Sequence, residues 1–263
     1  MSEAAGRASL IDCARVQLRV IGALMIREMH SRFGQSRFGY LALFVEPLLL
    51  GGAIGVIHQV RGGEGIRGSF EFFSIGYVLF FGFRGIVTRA HSTIASGTSL
   101  LYHRQVTLPD LFYARHAIEA VACTGVLVAF LMGVVAFGGE APDSWTKVLL
   151  AMLLMMLLAQ GIALIFASVT AEWHGLERAL HVSVYLLMPI SGVFFMVEWL
   201  PSTLQEWALW VPTVHIFELL RDGQFGDRFR ATYEPDYVLA WILVTHLIGL
   251  AGLRIARRRI GLE

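Results

Sequence analysis

His215 and Glu218 are the residues of this chain whose spacing comes nearest to that of a metal site. Three residues apart on a helix, they would offer an imidazole nitrogen and a carboxylate oxygen on one face. A zinc site needs a third and usually a fourth protein ligand, and none is evident beside this pair. The nine histidines form no His-Glu-x-x-His motif, and Cys13 lies far from Cys123. We therefore expect His215 and Glu218 to make hydrogen bonds at a helix end, and we expect no metal site.

Lys147 is the only lysine, and its neighbours exclude a phosphate-binding loop. Such a loop has glycine before the lysine and Ser or Thr after it, whereas the sequence here is Ser-Trp-Thr-Lys-Val. The Gly-x-Ser-x-Gly elbow of hydrolases is also missing. Ionisable residues within the apolar stretches are too few for a proton relay. They are Glu46, Glu71, Arg84, Glu119 and His246.

The composition is typical of an integral membrane protein. Hydrophobic residues make up 56% of the 263 residues and charged residues 16%, against about 25% charged residues in soluble domains. A helix needs about 20 apolar residues to cross the hydrocarbon core of a bilayer. Six stretches qualify, which predicts an all-α integral membrane fold with six spans. They are 40–60, 72–87, 118–137, 145–169, 180–197 and 237–253.

The arginines predict the orientation of these spans. An even number of spans leaves both termini on the same side of the membrane. Fifteen arginines lie on one side of the predicted membrane: in the N-terminal arm, in the C-terminal tail, and in the second and fourth connections between spans together with the adjoining end of span two. Only five arginines and Lys147 lie on the other side. Cytoplasmic segments carry the excess of Arg and Lys, so we expect both termini in the cytoplasm.

The chain divides into three parts along its length. We expect a cytoplasmic arm at 1–39, a membrane domain at 40–253 and a basic cytoplasmic tail at 254–263. In the arm, an apolar stripe at spacings of three and four predicts a helix that lies in the cytoplasmic interface. The stripe consists of Leu18, Ile21, Met25 and Met29. A solvated helix, whose arginines only fix the topology, is the alternative.

Two connections are too long for simple loops. The segment 88–117 is amphipathic, and we expect it in the cytoplasm. The segment 198–236 is expected outside, and it contains Trp199, Trp207 and Trp210, which suit a membrane interface. Pro201 and Pro212 should break it into short helices. We predict that it enters the outer leaflet as a re-entrant helical hairpin; a plain surface loop is the alternative.

Several motifs resemble one family. The series Arg27-Glu28, Arg32-Phe33-Gly34, Arg37-Phe38-Gly39-Tyr40 and Glu46-Pro47 resembles the start of span one in capsular polysaccharide exporters of the ATP-binding cassette (ABC) class. Within that class it is most similar to the Kps-type permeases of Gram-negative capsule export. Residues 99–104 with Ala114-Arg115 resemble the first cytoplasmic loop of this family. The set Pro212, His215, Glu218 and Arg221 resembles the Pro-x-x-His-x5-Arg signature of ABC-2 exporters.

The resemblance implies a fold, a location in the bacterial inner membrane and a set of partners. The fold would be a six-span ABC-2 permease with an N-terminal interfacial helix and external re-entrant helices before span six. Two permeases would form a homodimer with two copies of a separate ABC ATPase, which binds the ATP and Mg²⁺; this chain itself would bind no cofactor. The substrate would be an acidic capsular polysaccharide on a lipid anchor, passed to periplasmic and outer-membrane export proteins. No nucleic-acid partner is expected.

Aromatic residues are the candidates for the substrate path, because sugar C–H faces pack on aromatic rings. Tyr40, Phe44 and Tyr77 are preferred, since tyrosine adds a hydroxyl and residues near Glu46 should face protein or water. At the cytoplasmic mouth, arginines could concentrate an anionic polymer, or they could serve only topology and lipid headgroups. The further candidates are Phe72, Phe73, Phe80, Phe81, Arg37, Arg84 and Arg89.

Candidates for coupling to the ATPase lie in the cytoplasmic segments. A docking surface favours a short helix with small residues and an aromatic anchor. Trp173 could be that anchor or a plain interfacial tryptophan. The full set is Arg27, Glu28, Thr93, Ala95, Ser96, Gly97, Leu101, Glu172, Trp173 and His174.

Other functions are possible on the sequence alone. Within the same superfamily, the substrate could be O-antigen, a teichoic-acid-like polymer or small drugs. A membrane-embedded transferase is an alternative from another class, because the segment 198–236 contains several acids. No motif joins these acids, and we expect a transporter subunit rather than an enzyme.

Overall fold

The computed structural model describes residues 10–33, 45, 49–54, 56–57, 60, 70–97, 106–173, 175–228 and 230–259. These residues are mostly helical, and no β-strand occurs among them. Their α-helices are α1 (Leu10–Phe33), α2 (Phe70–Thr88), α3 (Ala90–Gly97), α4 (Leu108–Ala136), α5 (Trp145–Glu172), α6 (Leu176–Leu187), α7 (Ser202–Ala208), α8 (Pro212–Phe225) and α9 (Pro235–Arg259). Short 3₁₀ turns occupy Val197–Trp199 and Gly226–Arg228.

Four helices are long and apolar enough to cross a membrane, and each corresponds to a predicted span. They are Phe70–Thr88, Leu108–Ala136, Trp145–Ala171 and Pro235–Arg257. Most of the predicted span 40–60 lies outside the described residues; those of it that are described are helical. Gly51 accepts a hydrogen bond at its carbonyl from Ser74 Oγ of α2 at 2.9 Å. Span one therefore approaches α2 closely at this glycine.

The prediction of one helix over 180–197 is wrong in its extent. Helix α6 begins at Leu176, before the predicted start, and ends at Leu187. Its 12 residues are fewer than the about 20 that a helix needs to cross a bilayer core. Pro189 follows the helix and removes a backbone donor, and Gly192 has a φ of 98°, which favours glycine. Turns therefore continue the chain from Leu187 to the 3₁₀ turn at Val197–Trp199.

The helices define two ends of the bundle, named here by the short helices found there. At the α3 end, Thr170 near the end of α5 lines one small cavity with His91 and Glu177. At the α8 end, the carbonyl oxygen of Gly223 accepts a hydrogen bond from the amide of Ser144, just before α5, at 2.8 Å. The segment 176–199 runs from the α3 end back to the α8 end. It therefore crosses the bundle, although only its first part is an α-helix.

Small residues allow α9 to pack closely along α5. A Cβ on Gly249 would lie 2.5 Å from Leu164 Cβ, and one on Gly252 would lie 2.5 Å from Ser168 Oγ. Helices associate in membranes through close packing of this kind, because lipid tails are as apolar as the side chains and the hydrophobic effect does not drive helix association there. The two helices run in parallel, so α9 ends at the α3 end.

Helix α1 also lies at the α3 end, against α4. Leu24 is buried there, and Ile21 and Met25 pack partly against the core, whereas Leu18 and Met29 are exposed. The predicted apolar stripe is therefore divided between the core and the outside. Both described terminal helices, α1 and α9, reach the same end of the bundle, as an even number of crossings requires. Cytoplasmic placement of that end, and the interfacial position of α1, remain predictions.

The segment 198–236 forms short helices, as its prolines predict. Pro201 precedes α7 and Pro212 is the first residue of α8, where a missing amide hydrogen is tolerated. Helix α7 is largely exposed and includes Trp207, whereas α8 is almost wholly buried against α5 and α9. The re-entrant path of this segment through lipid remains a prediction.

Candidate functional site

Arg221 on α8 is the largest fully buried side chain among the described residues. Its guanidinium donates hydrogen bonds to the carbonyl oxygens of Phe195 and Val193, in the turns after α6. Its cationic carbon lies 3.8 Å from the centre of the Phe72 ring on α2. Burial lowers the pKa of Arg221 to about 9, so the group stays charged at neutral pH. One cation therefore joins α8, α2 and an irregular segment.

Glu218 and His215 both make hydrogen bonds to the backbone. The Glu218 carboxylate accepts from the amides of Val197 at 3.0 Å and Thr232 at 3.1 Å. Burial raises the pKa of Glu218, although both amides and the charge of Arg221 favour the ionised form.

Both ring nitrogens of His215 take part in hydrogen bonds to the backbone. Nδ1 accepts from the amide of Glu234 at 3.0 Å, so Nε2 carries the hydrogen that reaches the carbonyl oxygen of Leu209 at 2.8 Å. Arg221 and Glu218 therefore join the segment 198–236 to the rest of the bundle, whereas the bonds of His215 stay within the segment and Pro212 begins α8.

Four of the aromatic candidates for a substrate path lie in the packed core of the single chain. Phe72, Phe73, Phe80 and Phe81 are all buried. Phe72 is surrounded by rings, with Trp199 at 4.9 Å and Phe73 at 5.0 Å between ring centres. Their burial gives them a packing role; a role in a path between two chains remains a prediction.

The other path candidates differ in their exposure. Tyr77 is only partly buried, and Arg84 lies over the rings of Phe81 and Tyr185, 4.9 and 5.2 Å from their centres. Arg89 makes an ion pair with the buried carboxylate of Glu119 on α4. Three further candidates, Arg37, Tyr40 and Phe44, lie outside the described residues.

Arg115 connects two of the coupling candidates at the α3 end. From α4, its Nε lies 3.0 Å from Glu28 Oε1 on α1, and a further guanidinium nitrogen donates to Thr93 Oγ1 on α3 at 3.2 Å. Both members of the ion pair are largely buried, with side chains 17% and 14% exposed. The structure thus brings Glu28 and Thr93 together through a residue that was not predicted as a site residue.

A second contact between α1 and α4 was also missed. Gln17 donates to Asp110, and Asp110 accepts from the amide of Thr107 at 2.8 Å and from its hydroxyl at 2.7 Å. The pattern Thr107-x-x-Asp110 is the sequence signal of a helix start, and it could have been recognised. Asp110 therefore begins α4 and also contacts α1.

The remaining coupling candidates lie at the same end where they are described. Ala95, Ser96 and Gly97 end α3, Glu172 ends α5, and Arg27 is exposed on α1. Trp173 directly follows α5 and is exposed. Leu101 and His174 lie outside the described residues.

If α3 couples to an ATPase, as the family resemblance implies, replacing Gly97 by aspartate should uncouple ATP hydrolysis from transport. A Cβ at Gly97 would lie 2.3 Å from Leu111 Cδ1, so the leucine side chain must move, and the added carboxylate would be buried between α3 and α4. The measurement is ATPase activity and substrate export in the same membranes. Gly175→Asp is the matched control, because no atom lies within 4 Å of a Cβ placed there. Equal export by both variants, at equal expression, would contradict this role for α3.

The chain is similar to a known family and to proteins of bacterial capsule export. Residues 19–225 match the family described as ABC-2 type transporter. The capsule polysaccharide export inner-membrane protein CtrC of Neisseria meningitidis serogroup A is 35% identical over 248 residues, which cover 93% of this chain and 94% of CtrC. The protein BexB of Haemophilus influenzae, which carries the same description, is 35% identical over 239 residues, covering 89% of this chain and 90% of BexB. The polysialic acid transport protein KpsM of Escherichia coli is 30% identical over 244 residues, covering 90% and 93%.

Proposed function

Because the chain belongs to the ABC-2 type transporter family, we propose that it is the membrane subunit of an ATP-driven exporter of lipid-anchored acidic capsular polysaccharide. One observation carries the proposal: relatives named for capsule polysaccharide export match nearly the full length of the chain and of themselves. The four long apolar helices fit a multi-pass protein of the inner membrane, the location that those names give. Both termini would be cytoplasmic.

ATP hydrolysis would belong to a separate subunit. The sequence has no phosphate-binding loop, so an ABC ATPase must supply the nucleotide site. Two copies of this chain would assemble with two copies of the ATPase, and periplasmic and outer-membrane export proteins would receive the polymer. Domain 40–253 would form the permease, between the arm 1–39 and the tail 254–263.

The α3 end would receive the force from the ATPase. Helix α3 packs on α4 at Gly97, and Arg115 of α4 contacts both Glu28 and Thr93. Movement of α3 would therefore be transmitted to α1 and to a long apolar helix. Arg27 and Trp173 are exposed at this end and would contact the ATPase directly.

The polymer would pass between the two permeases. Of the described candidates on α2, Tyr77 and Arg84 are partly exposed, so they are favoured over the buried phenylalanines as contacts for sugar rings and carboxylates. Arg221, Glu218, His215 and Pro212 would act indirectly, by holding the segment 198–236 in place at the exit.

Inverted membrane vesicles provide the test of this proposal. Vesicles that contain the chain and its cognate ATPase should take up lipid-linked acidic polysaccharide only when ATP is added. A catalytically inactive ATPase variant is the control. Uptake without ATP, or group transfer by the purified chain alone, would overturn the proposal in favour of another class of protein.

Replacing Trp173 by alanine is expected to weaken ATPase binding by roughly thirtyfold, the effect of losing one interface hot spot of about 2 kcal/mol. Trp173 is 63% exposed at the α3 end, where the partner would cover it. Trp207→Ala is the matched control, since Trp207 is 70% exposed on α7 at the other end. Affinity measured by titrating the ATPase onto the permease in nanodiscs should fall only for Trp173→Ala. An equal loss in both variants would argue against docking at this end.

A further inference from the structure

Three ligand-type side chains converge between α3 and α6. His91 lies on α3, while Glu177 and His181 lie four residues apart on α6 and therefore share a face. Each offers one ligand atom, and these atoms all lie within 4.8 Å of one another. The imidazole rings of His91 and His181 stand edge to face, 5.6 Å apart. The metal-type pair considered from the sequence, His215 and Glu218, is not part of this cluster.

The hydrogen bonding of His91 prepares one nitrogen for a metal. Its Nδ1 lies 2.8 Å from the carbonyl oxygen of Thr88, which can only accept, so Nδ1 carries a hydrogen. Fixing one ring nitrogen on a backbone carbonyl in this way is the usual arrangement in metal-binding histidines, because it orients the ring and leaves Nε2 as the ligand.

The other ring nitrogen of His91 faces a carboxylate. Nε2 of His91 lies 2.8 Å from Glu177 Oε1. A neutral imidazole with its hydrogen on Nδ1 presents a lone pair there, and a carboxylate oxygen presents another. A metal ion that both atoms bind would favour this approach. The imidazole of His181 offers a third ligand atom at the same place, and only a metal ion can bind all three.

The surroundings have room for one further small ligand. A cavity of about 10 Å³, which is about the size of one water molecule, is lined by His91, Glu177 and His181. Val87, Phe166, Leu180 and Val184 provide the apolar part of its wall. The side chains of His91 and Glu177 are 29% and 45% exposed, so an ion could reach the site from water.

We propose that His91, Glu177 and His181 bind one Zn²⁺ ion, with a water molecule as the fourth ligand. Two imidazoles and one carboxylate suit zinc, whereas Mg²⁺ and Ca²⁺ prefer oxygen ligands alone. Zinc–ligand bonds of about 2.0–2.2 Å in tetrahedral geometry hold the ligand atoms about 3.3–3.6 Å from one another, so zinc would move His91 Nε2 and Glu177 Oε1 apart from their present 2.8 Å. The ion would tie α3 to α6.

The consequence for transport rests on the proposed function. If α3 carries force from an ATPase, zinc that ties α3 to α6 would restrain the element that must move. Bound zinc would therefore act as a brake on export. The binding site itself does not depend on transport, so it is tested on the chain alone.

The experiment titrates Zn²⁺ onto the full chain in detergent or nanodiscs, with any polyhistidine tag removed and a chromophoric chelator as competitor. The wild type should bind one zinc per chain. His91→Ala, His181→Ala and Glu177→Gln should each lower the affinity by at least about tenfold, since removal of even an indirect partner of a metal ligand has that effect. His30→Ala is the matched control, because His30 is exposed on α1.

A second readout separates binding from misfolding. Added Zn²⁺ should raise the midpoint of thermal unfolding for the wild type and for His30→Ala, and leave it unchanged for His91→Ala and Glu177→Gln. Equal zinc affinity in the wild type and all three cluster variants would overturn the proposal. An equal loss in His30→Ala would overturn it as well. None of these outcomes depends on export, so the proposed function could fail while the zinc site stands.

Discussion

Replacing Arg221 by alanine is expected to destabilise the chain by about 3–5 kcal/mol, the effect of removing one partner from a buried charged group. The carbonyl oxygens of Val193 and Phe195 would lose their donor, and Phe72 would lose the cation over its ring. Glu218 would remain buried without the nearby positive charge that favours its ionised form. The segment 198–236 should then detach from α2.

Thermal unfolding of the purified protein measures this effect. A loss of this size should lower the midpoint by roughly 6–20 °C in a chain of this length. Arg221→Lys should lie between the wild type and Arg221→Ala, since it keeps the charge but not the planar fork of donors. Arg228→Ala is the matched control, because Arg228 makes an exposed ion pair with Glu140 that should contribute about 0–1 kcal/mol. Unfolding of both alanine variants at the same temperature would contradict the structural role of Arg221.

Replacing Arg115 by alanine is expected to reduce export at least about tenfold while ATP hydrolysis by the partner continues, since a connection worth 1.4 kcal/mol already corresponds to that factor. Arg115 is the contact between Glu28 of α1 and Thr93 of α3, and the ion pair is largely shielded from water. Without it, movement of α3 would no longer be passed on to α1. The measurement is polymer exported per ATP hydrolysed, normalised to the amount of folded chain.

A charge exchange distinguishes coupling from general damage. The double variant Glu28→Arg/Arg115→Glu restores opposite charges between α1 and α4 and should recover part of the export, whereas each single charge reversal should not. Arg19→Ala, at an exposed position of α1, is the control and should leave the ratio unchanged. Full export by Arg115→Ala would contradict a coupling role for this contact.

The membrane helices α2, α4, α5 and α9 could be predicted from the sequence, because each is a continuous apolar stretch and hydropathy is a local property. Hydropathy alone predicts the fifth span too long, because Pro189 and Gly192 lie inside an apolar run. Hydropathy reports the preference for lipid, whereas the backbone of Pro and Gly decides where a helix ends. In 198–236 the backbone signal is explicit, and Pro201 and Pro212 predict its short helices correctly.

The side-chain contacts at the two ends were harder to predict. Arg115 lies 87 residues from Glu28, and His91 lies far in sequence from Glu177, so only the packing of the helices brings them together. Arg221 donates to the backbone carbonyls of an irregular segment, and because every residue has a carbonyl, the sequence of that segment does not reveal the contact. The spacing of Glu177 and His181, at positions i and i+4 of one helix, is a local signal for a metal site. Two ligands alone do not predict such a site, and the third, His91, lies far away in the sequence.

Co-purification with the cognate ABC ATPase, followed by its ATP hydrolysis with and without polymer, tests the central claim most directly. The proposed function predicts a stable complex of two permeases and two ATPases whose hydrolysis rises when lipid-linked acidic polysaccharide is added. A chain that fails to bind the ATPase, or a complex whose hydrolysis is indifferent to the polymer, would contradict it.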